Sequence, residues 1–83
     1  TDIVIYPNPS SDILNIDITS EINATYDVTL MDLVGKVCIE DVFLVNENTT
    51  ATNKLNIAKL APGTYTVVLR SNDNIQTIKF IKQ

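Results

Sequence analysis

Short runs in which apolar and polar residues alternate, each closed by a cluster of Pro, Gly, Asn, Asp or Ser, extend along the whole chain and leave little choice of fold. A period of two puts every second side chain on one face of an extended backbone, so one face of a sheet is buried and the other wetted. The residue types agree with the period: Ile, Val and Thr make up 29 of the 83 residues, and only four are Ala. β-Branched side chains lose rotamer freedom in a helix and pack well on a pleated surface. The runs predict seven strands, over residues 3–6, 13–18, 25–33, 36–45, 53–57, 64–70 and 75–82. The expected core faces are Leu14, Ile16 and Ile18; Tyr26, Val28 and Leu30; and Tyr65, Val67 and Leu69. Residues 57–60 allow a single helical turn at most. Seven short strands with frequent turn signals point to an all-β, seven-stranded antiparallel immunoglobulin-like sandwich, with a small barrel as the alternative architecture.

Size and composition then remove most chemistry. A chain of 83 residues is one small domain. It buries only about 60–65% of the surface its unfolded form exposes and has no room for a deep cleft beside a full core. Histidine is absent and cysteine occurs once, so no intrachain disulfide, His/Cys zinc site or His-dependent triad is available. Ten acidic against six basic residues leave a net charge of −4, which argues against nucleic acid as a partner. No enzymatic activity and no cofactor are expected. The carboxylates read as a solvated surface, with Asp27 and Asp32 expected on opposite faces of the third strand. Ser10-Ser11-Asp12 reads as turn chemistry, with no base beside it. The loop Ser71-Asn72-Asp73-Asn74 offers oxygen ligands, but its spacing matches no calcium loop, and a hairpin turn explains it. Cys38, within Val37-Cys38-Ile39, is expected to be a small buried hydrophobe, with intermolecular pairing as the alternative. Asn23-Ala24-Thr25 and Asn48-Thr49-Thr50 fit the glycosylation pattern, which is too short to carry weight.

Three features are more specific, and the turn between the third and fourth strands stands beside them. In Tyr6-Pro7-Asn8-Pro9, Pro7 and Pro9 flank Asn8, fix φ and cannot donate to a ladder. The first strand must therefore end there or lie at an edge, and a rigid elbow is expected to carry the chain into the other sheet. Asp32-Leu33-Val34-Gly35-Lys36 reads as the turn between the third and fourth strands. In Leu60-Ala61-Pro62-Gly63-Thr64-Tyr65, Pro62 and Gly63 suit the central positions of a type II turn. Leu60 would plug the bottom of the sandwich, and Tyr65 would form a tyrosine corner. Finally, Lys79-Phe80-Ile81-Lys82-Gln83 places Ile78 and Phe80 toward the core and Lys79 and Ile81 outward.

In this order and spacing the four features resemble the type A C-terminal sorting domain of the Por, or type IX, secretion system of Bacteroidetes. The resemblance rests on Tyr6, Pro7, Asn8 and Pro9, on Gly35 and Lys36, on Leu60, Gly63 and Tyr65, and on Lys79, Phe80, Ile81 and Lys82. It covers essentially the whole chain, and the one departure is a long stretch between Gly35 and Leu60. It implies a seven-stranded immunoglobulin-like fold, the same count as the alternating runs give.

The resemblance also implies a function: a secretion signal at the end of a larger secreted protein, an address label rather than a catalyst. The implied partners are outer-membrane translocon and shuttle components of the type IX system and a sortase-like peptidase. That peptidase typically removes the domain and anchors the cargo at the cell surface. The implied location is the periplasm in transit, then the outer membrane, cell surface or medium. Thr1 would then lie within a longer polypeptide and Gln83 at its natural end. A receptor adding a strand to the edge of the last strand, with Lys79 and Lys82 supplying charge, would read the label. An open edge also predicts strand-swapped or edge-to-edge dimers in isolation. The alternative is an immunoglobulin- or fibronectin-like adhesive, carbohydrate-binding or spacer module. Five aromatics and no Trp make a poor sugar platform.

Overall fold

A computed structural model describes residues 2–72 and 74–83; Asp73 of the expected final turn lies outside them. Seven strands appear in order: β1 (Asp2–Tyr6), β2 (Ile13–Ser20), β3 (Ala24–Met31), β4 (Val37–Val45), β5 (Thr49–Asn56), β6 (Gly63–Ser71) and β7 (Asn74–Lys82). They form two antiparallel sheets, β1-β2-β5 and β4-β3-β6-β7. Two separate sheets with free edges make a sandwich and not a barrel.

The expected core faces are the observed ones. Leu14, Ile16 and Ile18 from β2 meet Tyr26, Val28 and Leu30 from β3 and Tyr65, Val67 and Leu69 from β6. Val45, Leu55, Ile57 and Phe80 complete the cluster. Cys38 is half-buried against this core, and its thiol faces the Lys36 carbonyl at 3.6 Å. A single turn, closed by the Leu60 N–H on the Ile57 carbonyl at 3.0 Å, follows β5.

Three differences from the sequence reading have physical causes. The elbow after Tyr6 does not lead into the other sheet. β2 returns antiparallel beside β1, with Ile3 opposite Ile18 and Ile5 opposite Ile16. That pairing keeps Ile3 and Ile5 packed on the core, and consecutive strands usually neighbour one another. Asp32 lies beyond the end of β3, in the turn, so the expected opposition with Asp27 does not arise. β5 begins at Thr49, earlier than alternation suggests. It is an edge strand, where a polar stretch such as Thr49-Thr50 needs no buried face.

Leu14 has no exposed surface, whereas Val42 stands exposed on edge strand β4. Leu14→Ala is expected to cost about 2–5 kcal/mol, and Val42→Ala within about 0.5 kcal/mol. Equilibrium urea unfolding at constant m-value checks both.

Candidate functional site

The register brings all four sequence motifs to one end of the sandwich. β6 starts where β7 finishes, with Gly63 opposite Lys82 and Tyr65 opposite Phe80. β3 finishes against the same part of β6, with Met31 opposite Thr66. The elbow joins β1 to the start of β2 at this end too: the Ile57 N–H, just beyond β5, donates to the Asp12 carbonyl at 2.7 Å.

Both prolyl bonds of the elbow, Tyr6-Pro7 and Asn8-Pro9, are cis. At its entrance the Asn15 side-chain amide donates to the Tyr6 carbonyl at 3.2 Å. The Tyr6 hydroxyl donates to Asp17 Oδ1 at 3.2 Å. That hydrogen bond, with lesser contributions from lost hydration and the Asp17 charge, holds the phenol above its ordinary value. Beyond Pro9 the elbow lies against β7. The Ser10 N–H donates to the Ile81 carbonyl at 2.9 Å, and the Gln83 N–H donates to the Ser10 carbonyl at 2.8 Å. The Ile81 N–H donates to Asn8 Oδ1 at 3.1 Å. Ser10 is buried, and its hydroxyl is satisfied by the Ile13 carbonyl at 2.8 Å.

The turn after β3 is held by Asp32. Its Oδ1 accepts the Val34 N–H at 3.0 Å and the Lys36 N–H at 2.9 Å. The Asp32 N–H donates to the Lys36 carbonyl at 3.0 Å, and the Gly35 N–H to the Asp32 carbonyl at 3.1 Å. Gly35 sits at φ +86°, a backbone region that β-carbons disfavour. The turn thus presents two apolar side chains on a braced backbone: Leu33 is 74% exposed and Val34 88%. A hollow of about 200 Å³ separates them from Pro62, Thr64 and Tyr65.

The tyrosine corner forms as expected, with the Tyr65 hydroxyl donating to the Ala61 carbonyl. The Tyr65 and Phe80 rings stack at 5.8 Å between centroids. Leu60 packs on the core, half-buried. Gly63 differs from the expectation: at φ +156° it opens β6 as extended backbone. The second central position of a type II turn needs φ near about +80°.

On β7 the outward residues are Lys79 and Ile81, the latter 53% exposed. Lys82 does not join Lys79 on the surface. It is 6% exposed, and its ammonium donates to the Gln83 carbonyl at 2.8 Å. Burying Phe80 fixes the alternation, and Lys82, two residues on, follows it inward.

Sequence reasoning missed Ser10 and Asp32 as organising residues. Asp32 left a usable signal, because Asp at the first position of a turn closed by Gly favours a side-chain-to-backbone bridge. Ser10 left none, since its backbone partners, Ile81 and Gln83, are more than 70 residues away. Among the described residues no group of three or more His, Cys, Asp or Glu is placed to hold a metal ion. What this end offers is a small braced surface carrying exposed Leu33, Val34, Ile81 and Lys79.

A family model described as "Secretion system C-terminal sorting domain" matches residues 4–83. No curated protein sequence matches the chain significantly.

Two substitutions test how the end is braced. Tyr65→Phe keeps the ring stack and loses one hydrogen bond, so it is expected to cost about 1 kcal/mol, or about 4–8 °C in Tm. Among the described residues nothing lies within 4 Å of a β-carbon added at Gly35, so Gly35→Ala carries the conformational cost of about 1–2 kcal/mol. Thermal unfolding followed by circular dichroism measures both.

Proposed function

The chain belongs to the family of secretion system C-terminal sorting domains, and from that premise we propose that the elbow end of its sandwich is the surface the secretion machinery reads. Membership makes the chain a C-terminal sorting signal for type IX secretion. Such a signal interacts with the type IX machinery and directs export to the cell surface or the extracellular space. The family is one of signals and not of catalysts.

The finer reading is ours. The domain reaches the periplasm with its cargo, and shuttle and translocon components of the outer membrane engage it there. A sortase-like peptidase then separates it from cargo that is anchored at the surface. The observation that carries the placement of the receptor surface is convergence. Four motifs spread from Tyr6 to Lys82 meet at one end, through backbone pairing, a ring stack and a shared hollow. Thr64 borders that hollow and pairs with Ile81, so Leu33, Val34 and Ile81 belong to one neighbourhood. Apolar side chains of this size contribute about 1.5–3 kcal/mol each when fully buried, an upper bound for a contact that must also offset the cost of association. Lys36 and Lys79 add exposed charge, and Pro7, Asn8, Pro9, Gly35, Leu60, Gly63, Tyr65, Phe80 and Lys82 shape the surface around them.

The test fuses residues 1–83 to a periplasm-competent reporter in a host with a type IX system. Leu33→Asp/Val34→Asp leaves the core untouched and is expected to hold the reporter in the periplasm, with Lys79→Glu producing a smaller loss. Surface display equal to that of the unchanged fusion in both variants removes this end from the signal.

A further inference from the structure

The elbow and the end of β7 are 73 positions apart in sequence at Asn8 and Ile81, yet they are joined through hydrogen bonds. In an antiparallel pair the backbone groups of successive residues point alternately toward and away from the partner strand. The Ile81 N–H and C=O go to the elbow and not to β6. By the same alternation those of Thr77 and Lys79 face the open edge. The elbow therefore occupies β7 from Ile81 to Gln83 and stops short of Lys79. An incoming strand cannot pair over that last stretch while the elbow is in place, which corrects the expectation that the whole edge is free. Along the stretch the elbow holds, Ile81 is turned out and Lys82 turned in.

We infer that Asn8 is a positioning residue of the sorting signal: by accepting the Ile81 N–H it fixes the strand conformation in which Lys79 and Ile81 are displayed. The element read by the machinery is then a composite of the elbow and β7, and a β7 sequence on a flexible tail is not an equivalent signal. Three observations support this. The acceptor on Ile81 N–H is a side chain, so the contact depends on residue type at position 8 and not on backbone path alone. Ser10, which makes the two neighbouring backbone bonds, is buried and held by its own hydroxyl, so the clasp is braced from behind. Pro7 and Pro9 on either side of Asn8 restrict the backbone and limit where its side chain can swing. The inference rests on the sorting role proposed above.

The experiment uses the same reporter fusion with Asn8→Ala, which removes the acceptor, and Asn8→Asp, which keeps one. Ile57→Val, in the core at the same end, serves as a control for lowered stability alone. Surface-to-periplasm ratio is measured beside hydrogen exchange at the Ile81 amide and the melting temperature of the isolated 83-residue chain. The expected result is a loss of export of about fivefold for Asn8→Ala, the equivalent of one hydrogen bond, with faster exchange at Ile81. Asn8→Asp is expected to restore both, and Ile57→Val to export normally. Unchanged export of Asn8→Ala overturns the inference. So does an equal loss in Ile57→Val, or a loss in Asn8→Ala that Asn8→Asp does not recover. A host lacking the translocon separates the two levels: if the unchanged fusion reaches the surface there equally well, the sorting role itself fails, whatever Asn8 does.

Discussion

Tyr65 is the residue on which the organisation of the elbow end depends. Its ring stacks on Phe80 and its hydroxyl closes on the Ala61 carbonyl. The first contact locks β7 against β6 in one register, and the second ties the loop before β6 to the same point. A slip of one residue in β7 would turn every side chain to the other face. Phe80 and Ile78 would be wetted, and Lys79 and Ile81 driven inward. The displayed face of β7 is thus a consequence of a core contact, and so is the outward direction of the Ile81 backbone that the elbow uses.

The same register explains how a small sandwich handles its edges. Among the described residues four strands, β1, β5, β4 and β7, each have a side without a strand partner. Unpaired strands invite pairing with another chain, and charged residues or coverage by a loop discourage it. On one flank Glu40 and Asp41 stand on β4, and the Asn53 side-chain amide donates to Asp41 Oδ2 at 3.2 Å, linking the two sheets. On the other flank the elbow crosses from the β1-β2 side and caps β7 at Ile81 to Gln83. Cover therefore sits at the motif end of β7 while the β4 charges stand mid-strand, opposite Thr29 and Val28, and the stretch of β7 that keeps a bare edge carries Lys79 at its boundary.

Much of the fold was legible because alternation is a local property. The β2, β3 and β6 core faces follow from residue type and period, as do the Asp32–Gly35 turn and the tyrosine corner. What escaped depends on contacts between distant positions. Nothing in Tyr6-Pro7-Asn8-Pro9 states whether the chain continues into its own sheet or the opposite one; the match of Ile3 and Ile5 to Ile18 and Ile16 decides it. Lys82 reads as a surface charge by type, yet the burial of Phe80 two residues earlier overrides that preference. Gly63 offers the freedom for a type II turn, and the strand takes it instead. The family resemblance reached the function sooner than any single residue could, because ordered motifs carry information that composition lacks.

A signal made this way differs in kind from a linear peptide. Residue 8 lies in the connection from the three-stranded sheet and residue 81 in the last strand of the four-stranded one, so their contact exists only when the two sheets have closed. Closing them requires burying the shared core, since neither sheet alone covers its apolar face. Non-local pairing of this kind forms only after the chain has met the entropy cost of bringing distant segments together. The geometry at the elbow end is accordingly a report on the folded state of the whole domain. An unfolded or half-paired chain carries the same Lys79-Phe80-Ile81-Lys82 sequence but not the face that the folded one displays.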